Sequence, residues 1–219
     1  AMTAVSIVGQ LIFVFNLAIF GGLSGPGIYG AQFYGQNNIE GVRNTFRIKQ
    51  WICGFCLLIG LSVFIFKGEA LIGLYLHGES DIVDPVMTMK YAKQYLTIML
   101  GGLLPFAVTQ IYASSLRETG DSIKPMVAGV LSVVIDIVFN YMLIYGHFGM
   151  PKLGVQGAAL ATVLARVVEM CIVVIWSFAR RKKHKFIQGI YRKSLLLKLL
   201  KKDCPYFSTN FYGQEDLQH

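Results

Sequence analysis

Asp136 stands in the middle of an apolar run, Leu131-Ser-Val-Val-Ile-Asp-Ile-Val-Phe-Asn140. A carboxylate at the centre of a bilayer costs at least about 2.5 kcal/mol on insertion scales, so something in the fold must offset it. Ser132, Asp136 and Asn140 recur at i, i+4 and i+8 and make one polar stripe on a helix. Such a stripe faces a bundle interior or a watery cavity. A carboxyl placed there can take up and release a proton, since ionisable groups inside a membrane mark ion and proton paths. The competing reading is a carboxyl hydrogen-bonded to its neighbours for structure alone.

Arg166 and Glu169 lie three residues apart in a second apolar run. Their spacing predicts an intrahelical ion pair that neutralises itself. A candidate charge cluster with Asp136 is the alternative, because the two runs follow each other closely and should be antiparallel neighbours. Cys53-Gly-Phe-Cys56 has the spacing of a redox or metal pair. It sits in an apolar run without a second such pair or a nearby histidine, which predicts two buried thiols and no metal site. His77, His147, His184 and His219 are scattered. There is no phosphate-binding GxxxxGK[ST] loop, no HExxH and no GxSxG, so nothing supports a catalytic site or a cofactor.

The elements that must position these residues are apolar blocks. The chain has 219 residues, 54 % of them hydrophobic and only 15 % charged. A soluble domain carries about 25 % charge, so an ordinary soluble enzyme is excluded, and the aromatic and aliphatic content excludes disorder. The predicted fold class is all-α: a polytopic transmembrane helical bundle with five spans, at about residues 5–33, 51–66, 95–116, 125–146 and 154–179. Residues 70–76 read as a short apolar continuation of the second span. Ten of the 20 Lys and Arg residues lie between Arg180 and Lys202, directly after the fifth span. That position makes a cytoplasmic anchor of residues 180–204, with an interfacial amphipathic helix at 194–202, and argues against nucleic acid as a partner. The loops at 34–50 and 117–124 fall on the same side as this tail, as the positive-inside rule asks. The amino terminus then lies outside. This orientation, and a start at Ala1, predict a further helix upstream.

Glycine and proline interrupt two spans: Gly21, Gly22, Gly25, Pro26 and Gly27 in the first, Gly101, Gly102 and Pro105 in the third. Gly25, Pro26 and Pro105 are therefore candidate hinge or packing positions. Gly21 with Gly25, and Gly157 with Ala161, each form a small-xxx-small face suited to close helix packing.

Three segments, in order, resemble one family. Ala31-Gln32-Phe33-Tyr34-Gly35-Gln36, Leu116-Arg117-Glu118-Thr119-Gly120-Asp121 with Lys124-Pro125-Met126, and Gly149-Met150-Pro151-Lys152-Leu153-Gly154-Val155-Gln156-Gly157-Ala158-Ala159-Leu160-Ala161-Thr162 are similar to motifs of the multidrug and toxic compound extrusion (MATE) transporters, in their DinF-like branch. The resemblance covers about residues 1–205. It implies that the five spans are helices two to six of a partial first lobe, with helix one upstream, residues 205–219 starting a second lobe, and the rest of that lobe missing from this chain. It further implies a secondary antiporter in the cytoplasmic membrane that exports small amphipathic, often cationic compounds in exchange for H+ or Na+, with membrane lipids as its other partners. Many members carry an Asn-x-x-x-Asp pair in the fifth helix. Here Asp136 and Asn140 occupy the matching positions with the residue types exchanged. The alternatives are a lipid or polysaccharide flippase of the same superfamily, disfavoured because Arg166 is the only base within a span, and a non-transporting membrane remnant.

Overall fold

The boundaries between helices are written in a few residues whose backbone cannot continue a helix. Asn37 takes a left-handed φ of 57°, which an L-residue other than Asn or Gly rarely adopts. Asn38 then accepts the Gly41 N–H on its Oδ1 at 3.0 Å and opens the next helix as its cap. Gly120, at φ 79°, ends another helix with paired bonds, Asp121 N–H to Leu116 O at 2.9 Å and Gly120 N–H to Arg117 O at 3.1 Å. Gly146 and Gly154, at φ 74° and 57°, flank the last break.

The computed structural model describes residues 2–78, 85–146 and 153–179. They form five helices: α1 (Met2–Gly35), α2 (Ile39–Gly78), α3 (Pro85–Glu118), α4 (Ile123–Tyr145) and α5 (Val155–Ala179). All five are long and apolar enough to cross a membrane. The basic tail, the amphipathic helix at 194–202 and residues 205–219 lie outside the described residues.

Two expected boundaries change. The span expected at 51–66 is part of one unbroken helix, Ile39–Gly78, which also takes in residues 70–76. The span expected from residue 95 begins ten residues earlier, at Pro85. Charges mark where an apolar slab ends. They do not end a helix, because Lys67 and Glu69 are helix formers and the single Gly68 between them is tolerated inside a long helix.

α3 is the central helix and packs against α1, α2 and α5, while α4 rests mainly on α5. Ala4, Val8, Leu11, Phe15, Ile19 and Leu23 make the buried stripe of α1 at helical spacing. Phe15 meets Phe64 of α2 edge to face, with centroids 6.1 Å apart. Cys53 is buried, its thiol donating to Ala107 O at 3.6 Å, and Cys56 is half-buried. On α4 only Ala128, Ser132 and Leu143 are buried, and Val130, Val133, Val134 and Ile137 are exposed.

The glycine-rich stretches divide in an unexpected way. Nothing lies within 4 Å of where a Cβ would stand on Gly21, Gly25 or Gly101. The small-xxx-small face at Gly21 and Gly25 therefore packs on nothing among the described residues, and α1 runs unbroken through Pro26. The face at Gly157 and Ala161 does pack: a Cβ on Gly157 would come 2.7 Å from the Leu143 carbonyl oxygen, and Ala161 is fully buried. Close approach needs a neighbour, and α5 has one there whereas the outer side of α1 does not.

Candidate functional site

The α4 stripe faces α5, and the two helices run antiparallel in a definite register. Gly129 stands opposite Glu169, whose Oε1 would lie 3.9 Å from a Cβ there. One turn on, Ser132 Oγ donates to Ala165 O at 3.1 Å. Farther along, Leu143 meets Gly157, and the Leu153 N–H closes the hairpin on Leu143 O at 3.0 Å.

Asp136 falls inside this seam. Thr162, Arg166 and Asn140 are the groups around its carboxyl, and Tyr95 of α3 faces it together with Thr162 and Arg166. Its Oδ1 is buried and accepts no hydrogen bond. Two of the groups nearby also bond elsewhere. Thr162 Oγ1 donates to Ala158 O at 3.2 Å, one turn back on its own helix. Arg166 Nη1 donates to Gly102 O at 3.4 Å. A buried polar atom without a partner is costly, and native folds keep few of them.

Arg166 departs from the expected intrahelical pair. No ion pair joins it to Glu169 among the described residues. Its guanidinium crosses to α3, where it also lies over the Phe106 ring, 5.1 Å from the centroid. Gly102 makes the room: a Cβ there would stand 3.1 Å from Val163 Cγ2 and 3.4 Å from Arg166 Cδ. Three residues onward, Pro105 has no N–H to give to Gly101 O. Glu169 points the other way, to α4. An i, i+3 pair that sits between two different neighbours is drawn apart by them.

The structure thus brings Asp136, Asn140 and Arg166 together, and ties Ser132 into the α4–α5 contact. Glu169 lies at the edge of the same seam. Gly25 and Pro26 are on α1, away from these contacts. Pro105 is buried and supports the α3 wall, its carbonyl accepting from Thr109 Oγ1 at 2.9 Å. Tyr95 and Thr162 were not singled out by the sequence, where a tyrosine and a threonine in apolar runs look ordinary. A third was Asn16, mid-way along α1, whose Oδ1 is also buried without a partner. Its signal was legible: it is an amide in an apolar block, one turn from Phe20, which stacks edge-on against Phe106 at 6.2 Å.

The sequence model of the family described as MatE matches residues 1–142. Among curated proteins, the probable multidrug resistance protein NorM of Thermotoga maritima is 29 % identical over 182 residues, 83 % of this chain and 38 % of that protein. The probable multidrug resistance protein YoeA of Bacillus subtilis is 32 % identical over 215 residues, covering 94 % of this chain and 44 % of its own length. The multidrug resistance protein MdtK of Klebsiella pneumoniae is 27 % identical over 187 residues, 83 % and 39 % of the two chains. The chain spans about two fifths of the length of these relatives. No solved structure matches it.

Proposed function

Since the chain belongs to the MatE family, we propose that it serves multidrug efflux, exporting amphipathic and often cationic compounds across the cell membrane in exchange for H+ or Na+. It is a multi-pass membrane protein, and five helices among the described residues are long and apolar enough to cross a membrane. In this reading Asp136 is the ion-coupling carboxylate, Asn140 its amide neighbour, and Ser132 the anchor that fixes the stripe on α5. Arg166, held by Gly102 O and the Phe106 face, is the fixed positive charge against which Asp136 gains and loses its ion. The basic residues after α5 hold the tail on the cytoplasmic side.

The observation that carries this reading is the buried, unpartnered Asp136 Oδ1. A proton or a sodium ion on that oxygen would satisfy it, so occupancy and vacancy are two states of the site that differ in charge. Such a difference is what coupling to an ion gradient requires. The test is Asp136→Asn in the full chain, expressed in cells loaded with ethidium. Efflux should fall by at least tenfold and lose its dependence on an imposed proton or sodium gradient. Unchanged efflux with unchanged gradient dependence overturns the assignment.

A further inference from the structure

Lys49 is the only charged side chain that is completely buried among the described residues. It belongs to the third turn of α2, although the sequence placed it in a loop. Its ammonium has three protons and finds three acceptors, all on the last turns of α3: Glu118 Oε1, Ser114 Oγ at 3.2 Å and Ser115 Oγ at 3.5 Å. Glu118 is 16 % exposed. It is the last residue of α3, and Gly120 beyond it is exposed, so the pair lies just beneath one end of the bundle.

The third helix contributes an absence of side chains. The Glu118 carboxylate rests in a notch on α1, where a Cβ on Gly27 would come 2.9 Å from Oε1 and one on Gly30 would come 2.5 Å from Oε2. Thr45 of α2 closes the other flank of Gly30, with Cγ2 at 3.2 Å from that Cβ position, and its hydroxyl is already given to Gly41 O. Thus α2 and α3 are joined by a charge, while α1 is laid over the joint by bare backbone. We propose that Lys49, Glu118 and the Gly27–Gly30 notch form a releasable latch, which shuts this end of the bundle when α1 is seated and admits water to the pair when α1 lifts.

The energetics favour a contact that opens over one that merely holds. The attraction within a buried ion pair is largely offset by the desolvation of its charges, and well-packed apolar replacements are often as stable or more so. When α1 lifts, both charges recover hydration, so the open state is not heavily penalised. An apolar seam in the same place would recover nothing and would stay shut. The transport reading supplies the latch with a purpose, since a carrier must expose its interior in turn. The contacts themselves are independent of Asp136, roughly 24 Å along α3 from Gly102 at the helical rise.

The test uses the full chain with Cys53 replaced by Ala, Cys56, Cys171 and Cys204 by Ser, and Ser114→Cys as reporter. Its labelling by a water-soluble maleimide is timed in proteoliposomes, without substrate or gradient. Gly30→Ala, which crowds the carboxylate, should label about tenfold faster than the parent. Lys49→Met with Glu118→Met should label at least tenfold more slowly, with a melting temperature no lower than the parent's. Gel filtration of each variant confirms a folded protein. A Gly30→Ala rate equal to the parent's, or a double variant that labels as fast as the parent, overturns the latch. Because no transport is measured, failure of the Asp136 coupling reading leaves this outcome intact.

Discussion

Two polar residues on one stripe of α4 have opposite fates. Ser132 spends its hydroxyl on Ala165 O, whereas Asp136 keeps an oxygen free. Ser132→Ala should therefore cost only about 0.6 kcal/mol, the mean measured for such bonds between membrane helices. A thermal melt in detergent checks the cost, and most ethidium efflux should survive, in contrast to Asp136→Asn. Arg166→Lys keeps the charge but loses the planar contact with Phe106 and the reach to Gly102 O. It should lower stability by about 1 kcal/mol and reduce efflux, as arginine and lysine are not equivalent at a stacked site. Asp136 was legible in the sequence because one carboxylate in an apolar run is conspicuous by itself. Its depth beside Arg166 followed from the short connection between the two runs. Thr162 and Tyr95 were not legible, because neither type is rare in such runs and only the α4–α5 and α3 contacts select them. Lys49 and Glu118 were hidden for another reason. Both stand at the margins of apolar blocks, where charges ordinarily meet water.

At the level of elements, five helices could be counted from composition, but their lengths could not. Breaks at Asn37 and Gly120 are made by backbone conformation, and the charges at Lys67 and Glu69 lie within α2. Glycine patterns were equally ambiguous. Gly21–Gly25 and Gly157–Ala161 have the same spacing, and only the second is a contact. This yields a paired prediction for melting in detergent. Gly157→Ala forces a methyl against the Leu143 carbonyl, and should cost roughly 1–3 kcal/mol as overpacking does. Gly101→Ala meets open space inside a helix, and should be neutral or raise stability by up to about 1 kcal/mol. If both substitutions cost the same, the α4–α5 close approach is not as described.

For the whole molecule, the charge distribution and the bundle make one joint prediction, about orientation. If the tail lies on the cytoplasmic side, as proposed, a fluorescent protein fused after His219 should fluoresce in intact cells. Replacing Arg180, Arg181, Lys182, Lys183 and Lys185 by Gln should leave a mixed population, some of it dark. The bundle is also unevenly tied together. α4 leans on α5 and on little else, and the pair is closed upon itself by Ser132, by Leu153 and by the Gly157 contact. Drawn out of a bilayer by its carboxyl end, such a chain should not surrender α5 and α4 one at a time. They should leave in a single step, as a hairpin, while α1, α2 and α3 remain behind in the lipid.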